Sequence, residues 1–290
     1  MSVIVEKLAL VGTGLIGGSF ALALKEAGAV GEVLGVGRNP AILDAARAHG
    51  VIDRAASFAD AAQADVILLA LPVGETGTVL RQLAPHLKPG AIVTDAGSTK
   101  AGVVAAAHAA LGARVADFVP GHPIAGSEQS GPAAARADLF LGKRVVLTPQ
   151  PATRAGAVAV VRTLWEAAGA QVETLDAAQH DRIFAAVSHL PHLAAFALVD
   201  ELALRPDNET FFRFAASGFR DFTRIAGSSP EMWRDISLAN REALLAEADA
   251  YTAALQTLRT ALSAGDADAL STIFSRARQA REDWMKKQDA

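Results

Sequence analysis

The chain has 290 residues, of which 51% are hydrophobic, so it can fill the cores of two domains. Its 27 basic and 31 acidic residues give a net charge of −4, and no nucleic acid or anionic membrane surface is expected as a partner. The absence of cysteine excludes disulfides, thiolate metal ligands and cysteine nucleophiles, and it is compatible with a reducing cytoplasm.

The first predicted element is a strand that runs into a glycine-rich turn and then into a helix. In that order the first glycine permits a tight turn and the second lets a pyrophosphate approach the backbone. The third glycine lets the helix pack close to the strand. The pattern therefore predicts a dinucleotide site at the start of the helix, with a purely structural turn as the alternative. The expected cofactor-binding residues of this turn are Gly12, Gly14, Leu15, Ile16 and Gly17.

Strand-like and helix-like segments then alternate through the first half of the chain. This alternation, with continuous apolar strands, indicates a parallel sheet that helices cover on both faces. It predicts an α/β, Rossmann-like dinucleotide-binding domain over residues 1–176. The predicted strands are residues 8–11, 33–36, 66–71, 91–94, 115–119, 145–147 and 171–175. The predicted helices between them include residues 41–49, 76–86, 101–111 and 155–168.

Residues 177–290 contain only helical patterns, which predicts an all-α second domain for dimerisation and substrate binding. Its segment 183–204 is apolar almost all round, which a surface helix of a monomer would not tolerate. We therefore expect that segment inside the helical domain or at a subunit interface, and we favour a homodimer. No apolar run of membrane-spanning length is free of polar breaks, and strand residues follow Met1 closely. We expect a cytoplasmic protein without a membrane partner.

The end of the second predicted strand carries the residues that distinguish NAD from NADP. In NAD-binding folds an acidic residue about 20 positions after the glycines holds the ribose 2′-hydroxyl. Here Gly37 occupies that position and Arg38 follows it. A guanidinium can bind the 2′-phosphate of NADP through paired hydrogen bonds, so NADP is preferred over NAD. The alternative is that Arg38 only stacks on the adenine and both cofactors are accepted.

Polar clusters occur at residues 95–100, 121–128 and 188–192, after predicted strands or within the apolar helical segment. Sites of this architecture lie at the carboxyl ends of the strands. A hydride-transferring enzyme needs a group that accepts a hydrogen bond from the reacting hydroxyl, and histidine suits this near neutral pH. Any single histidine of these clusters is more often structural than catalytic. None of the seven histidines has the spacing of a metal motif, so no catalytic metal is expected.

Together these motifs resemble the prephenate/arogenate (cyclohexadienyl) dehydrogenase family. The resemblance runs from the glycine turn to about Trp233. It implies an NAD(P)-dependent oxidative decarboxylation of prephenate, arogenate or both in tyrosine biosynthesis. Hydride leaves the ring carbon that bears the hydroxyl, and the ring carboxylate departs as CO2, so the ring becomes aromatic. The motifs that carry the resemblance are residues 12–19, 95–100, 122–131, 188–192, 218–226 and 232–235.

The resemblance also implies roles for individual residues. His122 would be the catalytic group that hydrogen-bonds the ring hydroxyl and polarises it as hydride leaves. Ser98 would help to orient His122 and the nicotinamide. From the helical domain, His192 would contact the substrate, and Arg224 would bind one of its carboxylates. Two further residues would shape or gate the pocket entrance: Glu128 and Trp233.

Two other interpretations remain open. A β-hydroxyacid-type dehydrogenase has a similar glycine turn and helical partner domain, but such enzymes usually rely on a lysine of the helical domain. The only lysines after residue 176 are Lys286 and Lys287, which disfavours that interpretation. A non-catalytic dinucleotide sensor is the other possibility, and the retention of the polar site residues named above disfavours it.

Overall fold

The computed structural model describes residues 3–127 and 129–288 of the chain. Its main sheet is six-stranded and parallel, with the spatial order β3-β2-β1-β4-β5-β6. This is the order of a doubly wound dinucleotide-binding sheet, in which ligands bind where the strand order reverses, here between β1 and β4. The strands are β1 (Val5–Val11), β2 (Val30–Val36), β3 (Arg54–Ala55), β4 (Val66–Leu69), β5 (Ile92–Asp95) and β6 (Phe118–Val119).

Helices cover both faces of this sheet, as predicted. Successive residues of a strand point to opposite faces, so Leu8 and Leu10 join one buried cluster and Ala9 and Val11 the other. Side chains of α1 and α6 fill the first cluster, and side chains of α4 and α5 fill the second. The helices are α1 (Leu15–Glu26), α2 (Pro40–Ala48), α3 (Phe58–Ala61), α4 (Thr76–Leu83), α5 (Ala101–Leu111) and α6 (Ala155–Ala167).

A second sheet of three strands corrects the prediction of one continuous parallel sheet. Strands β7 (Gly121–Pro123) and β8 (Arg144–Leu147) are antiparallel, and β9 (Gln171–Thr174) pairs with β8 in parallel. The predicted strand 115–119 was also wrong over its first residues. Gly112 has a φ of +53°, and it starts a 3-10 helix, Gly112–Asp117, from which Val115 reaches the core.

The described residues after 176 contain only helices, as predicted. A π-helical turn (Ala185–His189) lies between α7 (Ala177–Phe184) and α8 (Leu190–Ala203). Residues up to Arg241 form one compact unit, and the residues after Arg241 form a second. The boundary at residue 176 therefore stays a prediction. The remaining helices are α9 (Asn208–Phe214), α10 (Ser217–Thr223), a 3-10 turn (Arg224–Gly227), α11 (Pro230–Ala239), α12 (Arg241–Ala264) and α13 (Ala267–Gln288).

The helical stretch Ala177–Ala203 contains residues 183–203 of the predicted apolar segment 183–204. By length and composition alone it could cross a membrane, with a mean hydropathy of 1.5 in its most apolar window. The core helix of a soluble protein meets the same criterion, so this one helix is weak evidence of a membrane span. Only 22% of that window is buried in a single copy of the chain, so much of the segment is uncovered. Its exposed apolar side chains include Val187, Leu193 and Leu198.

Candidate active site

The glycine turn after β1 has the shape that a dinucleotide site needs. Gly12 has a φ of +100°, and a Cβ there would lie 2.0 Å from the carbonyl oxygen of Ala70. A Cβ on Gly17 would lie 2.2 Å from the carbonyl oxygen of Gly12, because α1 packs tightly against the turn. Gly14 instead faces open space and is the N-cap of α1, which no side chain caps. The first amides of α1 are therefore accessible to a phosphate.

The end of β2 lies beside this turn, because the Gly12 amide donates to the carbonyl oxygen of Val36 at 3.1 Å. Two residues further on, the side chain of Arg38 is 87% exposed. Its guanidinium lies 3.4 Å from the carboxylate of Glu75, and Gly37 provides no carboxylate of its own. Two other predicted cofactor residues form the start of α1 and are partly buried: Leu15 and Ile16.

The side chains of Asp181, His180 and His122 form a hydrogen-bonded series that ends at His122. His122 lies on β7, and its Nδ1 is 2.9 Å from Nε2 of His180 on α7. Nδ1 of His180 lies 2.8 Å from the carboxylate of Asp181, which also accepts the amides of Lys100 and Ala101 at 2.7 and 2.8 Å. A carboxylate only accepts, so His180 carries its proton on Nδ1 and accepts the Nδ1 proton of His122. Nε2 of His122 is therefore the unprotonated nitrogen, which can accept from a substrate hydroxyl.

The pKa shifts of these three side chains agree with a neutral His122, a neutral His180 and an ionised Asp181. Burial lowers the pKa of His122 well below its ordinary value, and the nearby His180 and Lys100 lower it further. Burial also lowers the pKa of His180, in spite of its bond to Asp181. Burial works to raise the pKa of Asp181, but hydrogen bonds from His180 and two backbone amides outweigh it and lower that pKa. At neutral pH two neutral imidazoles thus follow one carboxylate.

A buried ion pair supports the strand that carries His122. The Nζ of Lys100 donates to the carboxylate of Asp95 and, at 2.7 Å, to the carbonyl oxygen of Gly121. The Asp95 carboxylate accepts the amides of Gly97 at 2.8 Å and Gly121 at 3.1 Å. The pair therefore joins the end of β5 to the start of β7, one residue before His122.

The structure does not connect all of the predicted catalytic residues. Ser98 lies in the loop between β5 and α5 and is partly buried. Within the described part of the chain, its hydroxyl makes no hydrogen bond, and His122 is oriented by His180 instead. Glu128 lies outside the described residues. The roles assigned to Ser98 and Glu128 stay predictions.

The predicted substrate-binding residues of the helical part lie together. The ring of His192 stacks on Trp233, with centroids 3.5 Å apart and planes inclined by 20°. Nδ1 of His192 donates to the carbonyl oxygen of Ser188 at 2.9 Å. Burial lowers the pKa of His192, and the positive charge of Arg224 also lowers it, although the bond to Ser188 opposes this. Arg224 begins the 3-10 turn that packs against α8.

His189 has a structural role and does not belong to the residues around His122 or to the stacked pair of His192 and Trp233. It is buried, and its Nδ1 lies 3.1 Å from the side-chain amide nitrogen of Asn240. That amide also donates to the backbone carbonyl oxygen of Asp181 at 2.7 Å. Burial lowers the pKa of His189 to about 4, so the ring is neutral and accepts from Asn240. Asn240, at the end of α11, thus connects that helix with α7 and, through His189, with the π turn.

Sequence reasoning missed His180, Asp181 and Lys100 as contributors to the site. The available signal was an imidazole and a carboxylate in adjacent positions at the start of an otherwise apolar helix. For Lys100 the signal was a lysine in an apolar neighbourhood, five positions after Asp95 at a predicted strand end. Lysine is almost never fully buried unless it is paired.

Two family models match adjoining parts of the chain. The nucleotide-binding domain of prephenate dehydrogenase matches residues 20–174, and the dimerization domain of prephenate dehydrogenase matches residues 176–276. The cyclohexadienyl dehydrogenase of Zymomonas mobilis is 37% identical over 280 residues, which cover 95% of either chain. The prephenate dehydrogenase of Bacillus subtilis is 38% identical over 284 residues, which cover 96% of this chain and 76% of that relative.

Solved structures of prephenate and arogenate dehydrogenases are also similar to the chain over almost its whole length. The prephenate dehydrogenase of A. aeolicus, in complex with hydroxyphenyl propionate and NAD+, superposes with a TM-score of 0.90 at 35% identity. That match covers 96% of this chain and 98% of the other. Synechocystis arogenate dehydrogenase superposes with a TM-score of 0.81 at 31% identity, over 96% of this chain and 99% of the other. The chain therefore belongs to the prephenate dehydrogenase family.

Proposed function

We propose that the chain catalyses the NAD(P)-dependent oxidative decarboxylation of prephenate, arogenate or both, as a step of tyrosine biosynthesis. The observation that carries the proposal is the hydrogen-bonded series Asp181–His180–His122, which leaves Nε2 of His122 unprotonated as a hydrogen-bond acceptor. The glycine turn, with its open position at Gly14, supports the use of a dinucleotide. The relatives named for prephenate, cyclohexadienyl and arogenate dehydrogenases support the substrate class.

In the proposed reaction, Nε2 of His122 accepts a hydrogen bond from the ring hydroxyl and stabilises the positive charge that develops there. When bound, the nicotinamide supplies the hydride acceptor. The electrons of the bond to the departing carboxylate enter the ring, which becomes aromatic as CO2 leaves. Aromatisation drives the decarboxylation, so the protein acts by positioning and by electrostatic stabilisation. The phenol product keeps the hydroxyl proton that His122 has shared.

We propose that His192 and Arg224 hold the substrate from the helical side. The planar, permanently charged guanidinium of Arg224 suits a carboxylate of the substrate. The stack of Trp233 on His192 fixes that imidazole in one orientation. Ser98 and Glu128 keep the roles that the family resemblance implies for them, at the nicotinamide and at the pocket entrance.

Replacing Arg224 with alanine should raise KM for the substrate by roughly 10- to 100-fold, the loss of one charge-assisted hydrogen bond. The value of kcat should change by less than about threefold, because ground-state binding is what is lost. Arg220→Ala is the matched control, since that side chain is exposed and, among the described residues, forms its ion pair with the exposed Asp221. A constant KM with a lower kcat in steady-state assays would exclude carboxylate binding as the role of Arg224.

We further propose that NADP is preferred over NAD. The tip of β2 lacks the carboxylate that would repel a 2′-phosphate, because Gly37 stands there. Arg38 is exposed, and its contact with Glu75 is a surface ion pair at 3.4 Å. Such pairs contribute at most about 1 kcal/mol, so a phosphate can displace the carboxylate from the guanidinium.

The parent enzyme should therefore show a higher kcat/KM with NADP than with NAD. Arg38→Ala should weaken the use of NADP by roughly 1.5–3 kcal/mol, about 10- to 150-fold, and leave the use of NAD almost unchanged. Glu75→Gln is the paired control, which should improve the use of NADP because it removes the competing carboxylate. A parent that favours NAD, or an Arg38→Ala variant that loses both cofactors equally, would show that Arg38 does not discriminate between them.

We propose that a second copy of the chain covers the apolar surface of the helical part. This part of the chain matches a domain described as a dimerization domain. The exposed apolar face of α8 and a cavity of about 350 Å³ support the proposal. Sedimentation equilibrium should give twice the chain mass of 30.0 kDa. We also propose that the dimer is located in the cytoplasm. The cavity is lined by Leu202, Thr210, Phe211, Phe212, Phe214, Ala215 and Phe219.

The proposed activity is tested by steady-state assays of the purified protein with prephenate and with arogenate, each against NAD and NADP. Turnover of at least one of these pairs is expected. The alternative of a β-hydroxyacid-type dehydrogenase predicts activity with a simple hydroxy acid instead. The lysine on which such enzymes usually rely belongs to the helical domain, and the only lysines after residue 176 are Lys286 and Lys287, which are exposed near the end of α13. A sensor would bind the dinucleotide and turn over none of these substrates.

A further inference from the structure

Asn240 is a buried residue at the end of α11 whose amide makes two contacts through one nitrogen atom. Its Nδ2 lies 2.7 Å from the backbone carbonyl oxygen of Asp181 and 3.1 Å from Nδ1 of His189. A carbonyl oxygen only accepts, so the nitrogen and not the oxygen of the amide faces Asp181. The second proton of that nitrogen is directed at His189. The neutral ring of His189 accepts it at Nδ1 and carries its own proton on Nε2.

The first contact leads to the catalytic histidine. The Asp181 carbonyl oxygen also accepts the amide of Ala185, so it keeps a partner when the Asn240 side chain is removed. The Asn240 amide therefore adds a fixed distance between the end of α11 and α7. The carboxylate of Asp181 contacts Nδ1 of His180, and Nε2 of His180 contacts His122. A displacement of α7 thus moves the imidazole that orients His122.

The second contact leads to the substrate-binding histidine. The rings of His189 and Trp233 meet edge to face, with centroids 6.0 Å apart and planes inclined by 73°. Trp233 in turn stacks on His192. Trp233 lies seven positions before Asn240, about two helical turns, so the two side chains leave α11 within about 20° of each other. One face of α11 therefore carries both the indole of the substrate site and the amide that orients its neighbour His189.

We propose that Asn240 is a positioning residue that holds His122 and His192 in their places around the substrate. It acts through Asp181 on the catalytic side and through His189 on the substrate side. This role rests on the proposed function, which assigns their tasks to the two histidines. Each contact uses one proton of the amide nitrogen, so a side chain with a single donor or none cannot make both.

Three substitutions separate the two contacts. Asn240→Ala removes both, so kcat should fall at least about tenfold and KM for prephenate or arogenate should rise at least about fivefold. In Asn240→Asp, His189 can donate from Nδ1 to the new carboxylate, but an oxygen atom now faces the Asp181 carbonyl oxygen. This variant should lose kcat and keep KM within about threefold of the parent. His189→Phe keeps a ring against Trp233 without the acceptor, so it should raise KM and keep kcat within about threefold.

Asn208→Asp is the matched control. The Asn208 amide also donates to a backbone carbonyl oxygen, that of Ala203 at 2.8 Å, but it does so at the surface. Both kinetic constants should stay within about twofold of the parent. If Asn240→Asp does not fold, the comparison of Asn240→Ala with His189→Phe still decides, because only the former should lose kcat.

Double substitutions provide a readout that a merely structural role would not move. In a His122→Asn background, Asn240→Asp should lower kcat by less than about a further twofold. In a His192→Ala background, His189→Phe should raise KM by less than about a further twofold. Losses that add in full would indicate a general loss of packing and would overturn the proposed role.

A further readout does not depend on activity. The ¹⁵N NMR shifts of the His189 ring distinguish a protonated from an unprotonated Nδ1. We expect an unprotonated Nδ1 in the parent and a protonated one in Asn240→Asp. A protonated Nδ1 in the parent, or parent values of kcat and KM in Asn240→Ala, would contradict the positioning role. A parent that turns over neither substrate contradicts the proposed function, while the state of Nδ1 still decides whether Asn240 donates to His189.

Discussion

Asparagine in place of His122 is expected to lower kcat by roughly 10²- to 10⁴-fold, the usual contribution of positioned acid–base catalysis. The asparagine amide can still contact His180, but it has no basic nitrogen for the ring hydroxyl. Nε2 of His122 is that nitrogen in the parent, because the bonds to His180 and Asp181 direct the proton to Nδ1. Steady-state kinetics would measure the loss, and the affinity for NADP would show that the variant is folded.

The pH profile and a matched variant complete this test. The neutral form of His122 is the active one, and its pKa lies well below the ordinary value of 6.5. The acidic limb of kcat/KM should therefore lie below pH 6.5, with activity lost only as the pH falls through the lowered pKa. His108→Asn, on the exposed side of α5, should leave kcat unchanged. An active His122→Asn variant, within about threefold of the parent, would show that another group assists the hydroxyl.

Replacing Lys100 with methionine should lower the free energy of unfolding by about 3–5 kcal/mol. The side chains of Lys100 and Asp95 are 0% and 2% exposed, so the substitution leaves a buried carboxylate without its counter-charge. The Gly121 carbonyl oxygen loses a donor at the same time, next to the strand that carries His122. Chemical denaturation would measure the stability, and kcat at low temperature would report the displacement of His122.

Two control variants distinguish the effect of breaking the ion pair from the effect of removing any lysine side chain. Lys143→Met, at an exposed position, should change the unfolding free energy by less than about 0.5 kcal/mol. The double substitution Asp95→Asn and Lys100→Met should recover much of the loss, because no uncompensated charge remains. If Lys100→Met alone were as stable as the parent, the pair would not be holding β5 to β7.

The features that sequence predicts well are local. The strand, glycine turn and helix between Val5 and Glu26 were predicted from the residues of that segment alone. Gly17 requires glycine because a Cβ there would meet the carbonyl oxygen of Gly12, five positions earlier in the same motif. Helix α5 was predicted over its full observed range, because alanine-rich composition favours a helix without help from distant contacts.

The features that sequence did not predict depend on distant contacts. His122 and His180 are 58 positions apart, and nothing in either segment shows that their rings meet. The second sheet was missed because its first strand, Gly121–Pro123, has three residues and pairs with a segment more than 20 positions away. The π turn was missed because hydrophobic periodicity is weak in a segment that is apolar almost all round.

The most direct test of the proposed chemistry is the stoichiometry of the products with the preferred substrate and cofactor. We expect one CO2 released and one reduced nicotinamide formed for each substrate consumed, with an aromatic product. Both products should decrease together in the His122→Asn variant. Reduced nicotinamide without CO2 would contradict oxidative decarboxylation, because it would indicate a simple hydroxy-acid dehydrogenase.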